Sequence, residues 1–322
     1  MRSNDVRSYT AAGTLPWKLL QLKEQAITPD KRIIPIHIQL IPTNKCNGTC
    51  PWCSCSEVDR SVEIPFSEIA KIAEFFAARG TRAVTITGGG EPTLHPNFYD
   101  ILSVFKANSI SVGLVSNGIK WGKGEIKNSG LISGTVDWIR VSTMDTTRNG
   151  DQPKWLENIA SQLDTYLGVS FTVSKNVNTE LAKRICEVAN RNKAVTHIRF
   201  VEDILDPNDA LMELIENSCK MLTDKGIYQY RSKFTVGTNP CLISRLKPII
   251  DATGQIFACC GVQYANANFG LRKMPKEMSM GHWSNYDDMK PFDGSVCQKC
   301  YYNDYNTVLS GLTQPLRHIN HV

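Results

Sequence analysis

The chain has 322 residues, 42% of them hydrophobic and 21% charged, which supports a sizeable core and excludes disordered, collagen-like and coiled-coil architectures. Its 36 Lys and Arg against 31 Asp and Glu leave a net charge of +5, too weak to argue for nucleic acid. No run reaches the ~18 consecutive apolar residues of a membrane span, and Met1 to Trp17 lacks the apolar run of a signal peptide, so the cytoplasm is the expected compartment.

Residues 1–33 read as a polar, irregular N-terminal extension with one apolar patch from Leu15 to Leu22. Ile36, Ile38 and Leu40 alternate with His37 and Gln39, the period of a strand. A helix is predicted over 67–79, with Ser67 as cap, Ile69, Ile72, Ala73 and Phe76 on one face and Gly80 as stop. A strand from Ala83 to Thr87 ends in three glycines. Then come a helix (Phe98 to Ala107), a strand (Ile110 to Val115), a strand (Val136 to Ser142) and a helix (Trp155 to Tyr166). A strand from Val169 to Val173, a helix capped by Thr179 and a strand from His197 to Val201 complete the series. This β-then-α alternation argues for parallel strands joined by right-handed crossovers, in a partial barrel or an open sheet. In both, chemistry belongs at the carboxyl ends of the strands. After a helix at Ala210 to Lys220 the pattern changes, and a domain boundary is expected near 225–235. The expected division is therefore 1–33, 34–225 and 226–322.

Cysteine is the compositional outlier, with 11 residues in a chain that has no secretion signal. Clustered Cys in such a protein bind metal or do chemistry more often than they form disulfides. The loop after the first strand carries Cys46, Cys50 and Cys53, a C-x3-C-x2-C run. Thiolates suit zinc or iron–sulfur clusters. A four-iron cluster wants one ligand per iron, so three thiolates leave one iron open to a small molecule. Zinc, with Cys55 as fourth ligand, is the alternative. Gly88-Gly89-Gly90-Glu91-Pro92 follows the second strand and so shares the rim with the Cys loop. Its glycines allow close backbone approach, and Glu91 adds a carboxylate that can hold an ammonium group.

These residues resemble the radical S-adenosylmethionine (SAM) superfamily, whose signature is C-x3-C-x2-C with an aromatic before the last Cys, here Trp52, and a GGE(P) element, here Gly89-Gly90-Glu91-Pro92. The resemblance implies a partial (β/α)6 barrel and a 4Fe-4S cluster on Cys46, Cys50 and Cys53. Its open iron would take the amino and carboxylate groups of SAM, with Gly89, Gly90 and Glu91 on the amino group. Ser116-Asn117-Gly118 is similar to the T-N-G element of that superfamily, which adds Asn117 to the cofactor-binding set. Ser142 is similar to the start of its S-x-D segment, although the spacing to Asp145 is one residue longer here.

Farther on, Cys241 precedes a predicted hairpin, Pro248 to Asp251 and Gln255 to Ala258 around Asp251-Ala252-Thr253-Gly254, with Cys259 at its end and a Cys297-x-x-Cys300 pair beyond. The set resembles a Twitch domain, the truncated relative of SPASM domains. That resemblance implies a small Cys-rich C-terminal domain with an auxiliary 4Fe-4S cluster on Cys241, Cys259, Cys297 and Cys300. Cys260 rivals Cys259, and the spacing from Gly254 favours Cys259. A structural zinc site is the alternative.

The implied chemistry is reductive cleavage of SAM to a 5′-deoxyadenosyl radical that takes hydrogen from a small polar substrate. The net outcome would be an oxidation drawing on the auxiliary cluster, with an electron donor such as flavodoxin or ferredoxin. Residues 226–322 carry 12 of the 27 aromatics and 10 basic against 6 acidic residues, which suits an anionic or ring-bearing ligand. Modification of a nucleobase or nucleotide is therefore a second reading, and a zinc-stabilised binding module without activity is a third. Lys175, Glu202 and Asp203 are the acid–base candidates at the rim, and no general base is assigned among them.

Overall fold

The computed structural model describes residues 11–24, 35–143, 151–203, 206–230, 235–262 and 272–313. Ten strands form one sheet in the order β10-β9-β8-β1-β2-β3-β4-β5-β6-β7. They are β1 (His37–Leu40), β2 (Ala83–Ile86), β3 (Ser111–Ser116), β4 (Trp138–Thr143), β5 (Tyr166–Val173), β6 (Val195–Glu202), β7 (Gly226–Tyr230), β8 (Ile249–Ile250), β9 (Gln255–Phe257) and β10 (Ser279–His282). β1 to β7 pair in parallel, each with the next in sequence. The sheet does not close, which fits a partial barrel. Its helices are α1 (Ala11–Glu24), α2 (Phe66–Ala77), α3 (Phe98–Ala107), α4 (Ile119–Gly122), α5 (Ser129–Thr135), α6 (Gln152–Gln162), α7 (Thr179–Arg191), α8 (Asp209–Lys220), α9 (Ile243–Leu246) and α10 (Asn303–Thr313).

Strand alternation builds the core. Ile38 and Leu40 of β1, Val84 and Ile86 of β2 and Val112 and Leu114 of β3 are almost wholly buried in one cluster with Ile69, Ile72, Ala73 and Phe76 of α2. These α2 residues recur at the helical period, so the helix buries one stripe against the outer face of the sheet. The intervening strand residues face the other way, into the barrel. The caps differ from the sequence reading. Pro65, not Ser67, precedes α2, and the Asn178 side chain, not that of Thr179, accepts the Leu181 amide of α7. Asp151 and Asn208 cap α6 and α8 in the same way.

Four elements differ from expectation. Residues 11–24, read as irregular, form α1 despite Pro16, and Leu19 packs on a cluster with Ile36, Leu242 and Leu309. A seventh parallel strand, β7, continues the sheet beyond residue 225. Ser279–His282, where no element was expected, form β10. Lastly, the hairpin of β8 and β9 joins the barrel sheet itself, because β8 pairs in parallel with β1 through Gln39↔Ile249 and Leu40↔Ile250. Among the described residues no helix is long and apolar enough to cross a membrane.

Candidate functional site

The strand ends converge as the alternation predicts. A cavity of about 260 Å³ at the carboxyl ends of the strands is lined by Cys46, Cys50, Trp52 and Cys53 from the loop after β1 and by Gly88 to Glu91 after β2. Asn117 follows β3, Ser142 lies near the end of β4, and Glu202 and Asp203 lie at the end of β6. All six residues expected to bind the cofactor, Trp52, Gly89, Gly90, Glu91, Asn117 and Ser142, thus lie on one wall system with the three thiols. The segment from Ser142 toward Asp145 leaves the described residues after Thr143. Lys175 does not line the cavity and pairs with Asp206 at 3.2 Å on the surface.

The glycines are needed for backbone contact. A Cβ on Gly90 would stand 2.1 Å from the carbonyl oxygen of Lys45, and one on Gly89 would stand 2.5 Å from Asn44 Oδ1. The Gly loop therefore packs directly on the chain that leads into Cys46, and the Gly90 amide donates to the Thr43 carbonyl at 3.1 Å. Glu91 is buried, and its carboxylate accepts from Thr93 N, Thr93 Oγ1, Ser116 Oγ and Asn117 N. Burial pushes its pKa up while these four donors pull it back. This carboxylate clamps the β2 and β3 loops together and keeps Asn117 in place. Asn117 Nδ2 in turn donates to Asn47 Oδ1 at 2.8 Å inside the Cys loop.

Arg60 belongs to the site and carries no sequence signal. One of its Nη1 donors reaches the carbonyls of Asn44 (2.9 Å) and Gly89 (2.8 Å), tying the two loops, and its charge favours thiolate at Cys46 and Cys50. A lone Arg in a polar loop has no spacing to betray it.

The three thiols are close enough to repel one another as thiolates. Burial pushes the Cys50 thiol up to about 12, helped by Cys53 and Cys46. Backbone amides also donate to neighbouring sulfurs, Gly48 N to Cys46 Sγ at 3.4 Å and Cys55 N to Cys53 Sγ at 3.4 Å. Partly exposed thiols that carry amide donors and crowd one another suit a polycationic cluster, whose charge reverses the cost of deprotonation. Cys55, the alternative fourth ligand, also lines the cavity but is buried. Among the described residues no three Cys, His, Asp or Glu side chains converge on the space of one metal ion.

The second thiol group is compact. Cys241, Cys259, Cys297 and Cys300 line one small cavity of about 20 Å³, whereas Cys260 is not in its lining and its Sγ lies 3.6 Å from Tyr302 Oη. The donors to these sulfurs include Gly261 N to Cys259 Sγ (3.3 Å) and Asn306 Nδ2 to Cys241 Sγ (3.6 Å). Cys186 and Cys219 stay apart from both groups, buried in α7 and α8.

Comparison with known proteins agrees with this geometry. Residues 40–195 match the family model of the radical SAM superfamily. A GTP 3′,8-cyclase of Staphylococcus aureus is 31% identical over 202 residues, which are 56% of this chain and 58% of the cyclase, so the match spans little more than half of that relative. A GTP 3′,8-cyclase of Staphylococcus haemolyticus is 29% identical over 46% of this chain and 47% of its own. In fold, the chain is similar to Streptococcus suis SuiB bound to S-adenosylmethionine, with a TM-score of 0.57 and 15% identity over 88% of this chain and 81% of that one. It is also similar to anSMEcpe with bound AdoMet and a peptide, with a TM-score of 0.53 and 12% identity over 88% and 84%. The three-thiol loop and the Gly-Gly-Glu loop both lie inside residues 40–195, the segment of the chain that matches the radical SAM superfamily.

Proposed function

We propose that the protein is a radical SAM oxidoreductase acting on a small polar substrate, with a second cluster in a Twitch-like C-terminal domain spanning about 226–322. The observation that carries this reading is the single cavity shared by Cys46, Cys50, Cys53 and the Gly89-Gly90-Glu91 loop. Cys46, Cys50 and Cys53 would hold a 4Fe-4S cluster. Such a cluster with SAM beside it would supply reductive, one-electron cleavage of the sulfonium as the source of hydrogen abstraction from the substrate.

The chain's own residues do the rest. The Gly89 and Gly90 backbone and Asn117 present polar groups to the amino end of SAM, and Glu91 holds that wall rigid. Trp52 and Ser142 both line the cavity, where the adenosine portion would lie. Arg60 keeps the Cys loop docked on the Gly loop. Cys241, Cys259, Cys297 and Cys300 would hold the auxiliary cluster, with Cys260 outside the ligand set. A flavodoxin or ferredoxin would deliver the reducing electron.

The test is anaerobic reconstitution. Brown protein with about eight irons per chain that releases 5′-deoxyadenosine from SAM and dithionite supports the reading. Colourless protein holding zinc instead refutes it in favour of a zinc-stabilised module. A nucleotide-modifying radical SAM enzyme is the second reading, favoured by the identity to the GTP 3′,8-cyclases. A nucleotide that accelerates SAM cleavage would select it.

A further inference from the structure

Helix α10 brings a polar side chain into an apolar contact. Tyr302, just before the helix, and Leu309 are buried in one cluster with Cys241, Leu242, Ile243 and Leu246. Asn306 follows Tyr302 by four residues and precedes Leu309 by three, so it shares their face, and it is only 1% exposed. It lines the small cavity of the second thiol group. Burying an amide costs free energy unless its ends find partners, and a leucine of similar volume would bury there without that cost. Asn306 therefore needs a reason other than packing.

Both ends of the amide are bonded. The Ile243 backbone amide donates to Asn306 Oδ1 at 3.0 Å, which fixes the end that carries oxygen. Nδ2 is thereby turned onto Cys241 and donates to its Sγ at 3.6 Å. Cys241 is held in place without this bond. Its backbone amide donates to the Phe292 carbonyl at 2.8 Å, and its carbonyl accepts from Ser244 N at 3.2 Å and Ser244 Oγ at 2.5 Å. The Ser244 hydroxyl in turn accepts from Phe292 N at 3.0 Å.

Other donors to sulfur differ in kind. Gly261 N on Cys259, Gly48 N on Cys46 and Cys55 N on Cys53 are backbone amides two residues beyond the sulfur they serve. They come with the turn itself. The Ser244 and Ile243 amides likewise favour the thiolate at Cys241 from close by in sequence. Asn117 Nδ2 stands 4.0 Å from Cys46 Sγ in an exposed setting, and its 2.8 Å bond goes to Asn47. Asn306 instead reaches Cys241 from 65 residues away, inside a buried wall where a bond dipole is screened least. An N–H donor at a thiolate sulfur stabilises the more negative oxidation state of an iron–sulfur cluster and so raises its reduction potential.

We propose that Asn306 sets the potential of the second thiol site. Through Cys241 Sγ it raises the reduction potential of the cluster that Cys241, Cys259, Cys297 and Cys300 would hold, so that this site takes up an electron more readily than its thiols alone would allow. Asn306 acts through the sulfur and is a positioning residue. The proposal rests on the two-cluster reading above and gives the second site a direction, that of an electron acceptor.

Potentiometric titration of the anaerobically reconstituted full chain, read by electron paramagnetic resonance, tests it. The two clusters are told apart by the response of the first to added SAM. Asn306→Asp keeps the oxygen that accepts from Ile243 and removes the donor, while Asn306→Leu keeps the volume and removes both. In each, the potential of the second cluster is expected to fall, further in the Asp variant because of its charge, with the potential of the first unchanged. A role confined to packing would lower the thermal midpoint and leave the potential in place. A second measurement does not depend on these variants holding their iron. Cys50→Ala protein, in which the second cluster stands alone, is made with asparagine that carries a heavy nitrogen in its side chain, and coupling of that nitrogen to the cluster spin is expected. Absence of the coupling, or an unmoved potential in variants that hold about eight irons, overturns the proposal alone. Wild-type protein that holds only about four irons sinks the two-cluster reading and the proposal with it.

Discussion

Cys46, Cys50 and Cys53, with Cys55 buried beside them, border a cavity of about 260 Å³ in the barrel, while four thiols in the C-terminal region line one of about 20 Å³. The first set sits on strand-end loops whose walls are backbone amides, glycines and small polar side chains. The second is closed by the chain itself. A Cβ on Gly237 would stand 2.2 Å from the Gly294 carbonyl oxygen, and Tyr301, Tyr302 and Phe292 complete the wall. The same ligand atom is thus set in two environments, one with room for an exchangeable partner and one without. On the proposed reading, chemistry would fall to the first site and structural or electron-relay duty to the second.

The contrast can be broken most sharply at Cys50. In Cys50→Ala the iron content is expected to fall from about eight to about four per chain, with 5′-deoxyadenosine release reduced to background. Metal analysis and chromatography of the products read both. If this variant keeps its iron and its cleavage, the distinction between the sites is lost. Cys300→Ala should also halve the iron, but release of 5′-deoxyadenosine persists while turnover of substrate stops. The thermal midpoint of that variant should drop by roughly 5–10 °C, because the second site staples the C-terminal segments.

Glu91→Ala leaves four donors without their acceptor and should cost on the order of 3 kcal/mol in urea unfolding, whereas Glu91→Gln keeps the shape and costs less. Equal costs for the two would show that the carboxylate charge carries the clamp. The smallest effect concerns acid. His197 is held down to about 3 in the folded chain and returns to about 6.5 on unfolding. The unfolded state therefore binds the extra proton between those values, and stability is full above about 6.5 and lost as pH falls toward 3. A urea series from pH 7 to 5 should show a shallower acid loss for His197→Gln than for the wild type.

The barrel was legible because its strands repeat one physical pattern, a buried outward residue beside an inward polar one, and its helices carry single apolar stripes. The thiol positions were legible for a different reason, that fixed Cys spacing is rare. What escaped had weak local signals. β7 is five residues with little alternation, α1 contains a proline and no strong stripe, and β10 is a short edge strand in a Met-rich segment. Glu91 was read as a group that contacts ligand, and its hydrogen bonds show a second duty that depends on β3, far away in sequence. The inward face of β1 was present in the alternation of His37 and Gln39 with Ile38 and Leu40. Only the register across β4, β5 and β6 reveals that Arg140 and Arg199 face the same interior.

The docking of β8 alongside β1 has a further consequence. Gln39 and Ile41 donate their amides to the carbonyls of Pro248 and Ile250, so the C-terminal hairpin satisfies a rim of hydrogen-bonding groups that the barrel would otherwise present to water. A chain cut after residue 230 would bare that rim as a template for self-association. Shortened versions of this protein should therefore precipitate rather than yield a smaller, well-behaved barrel.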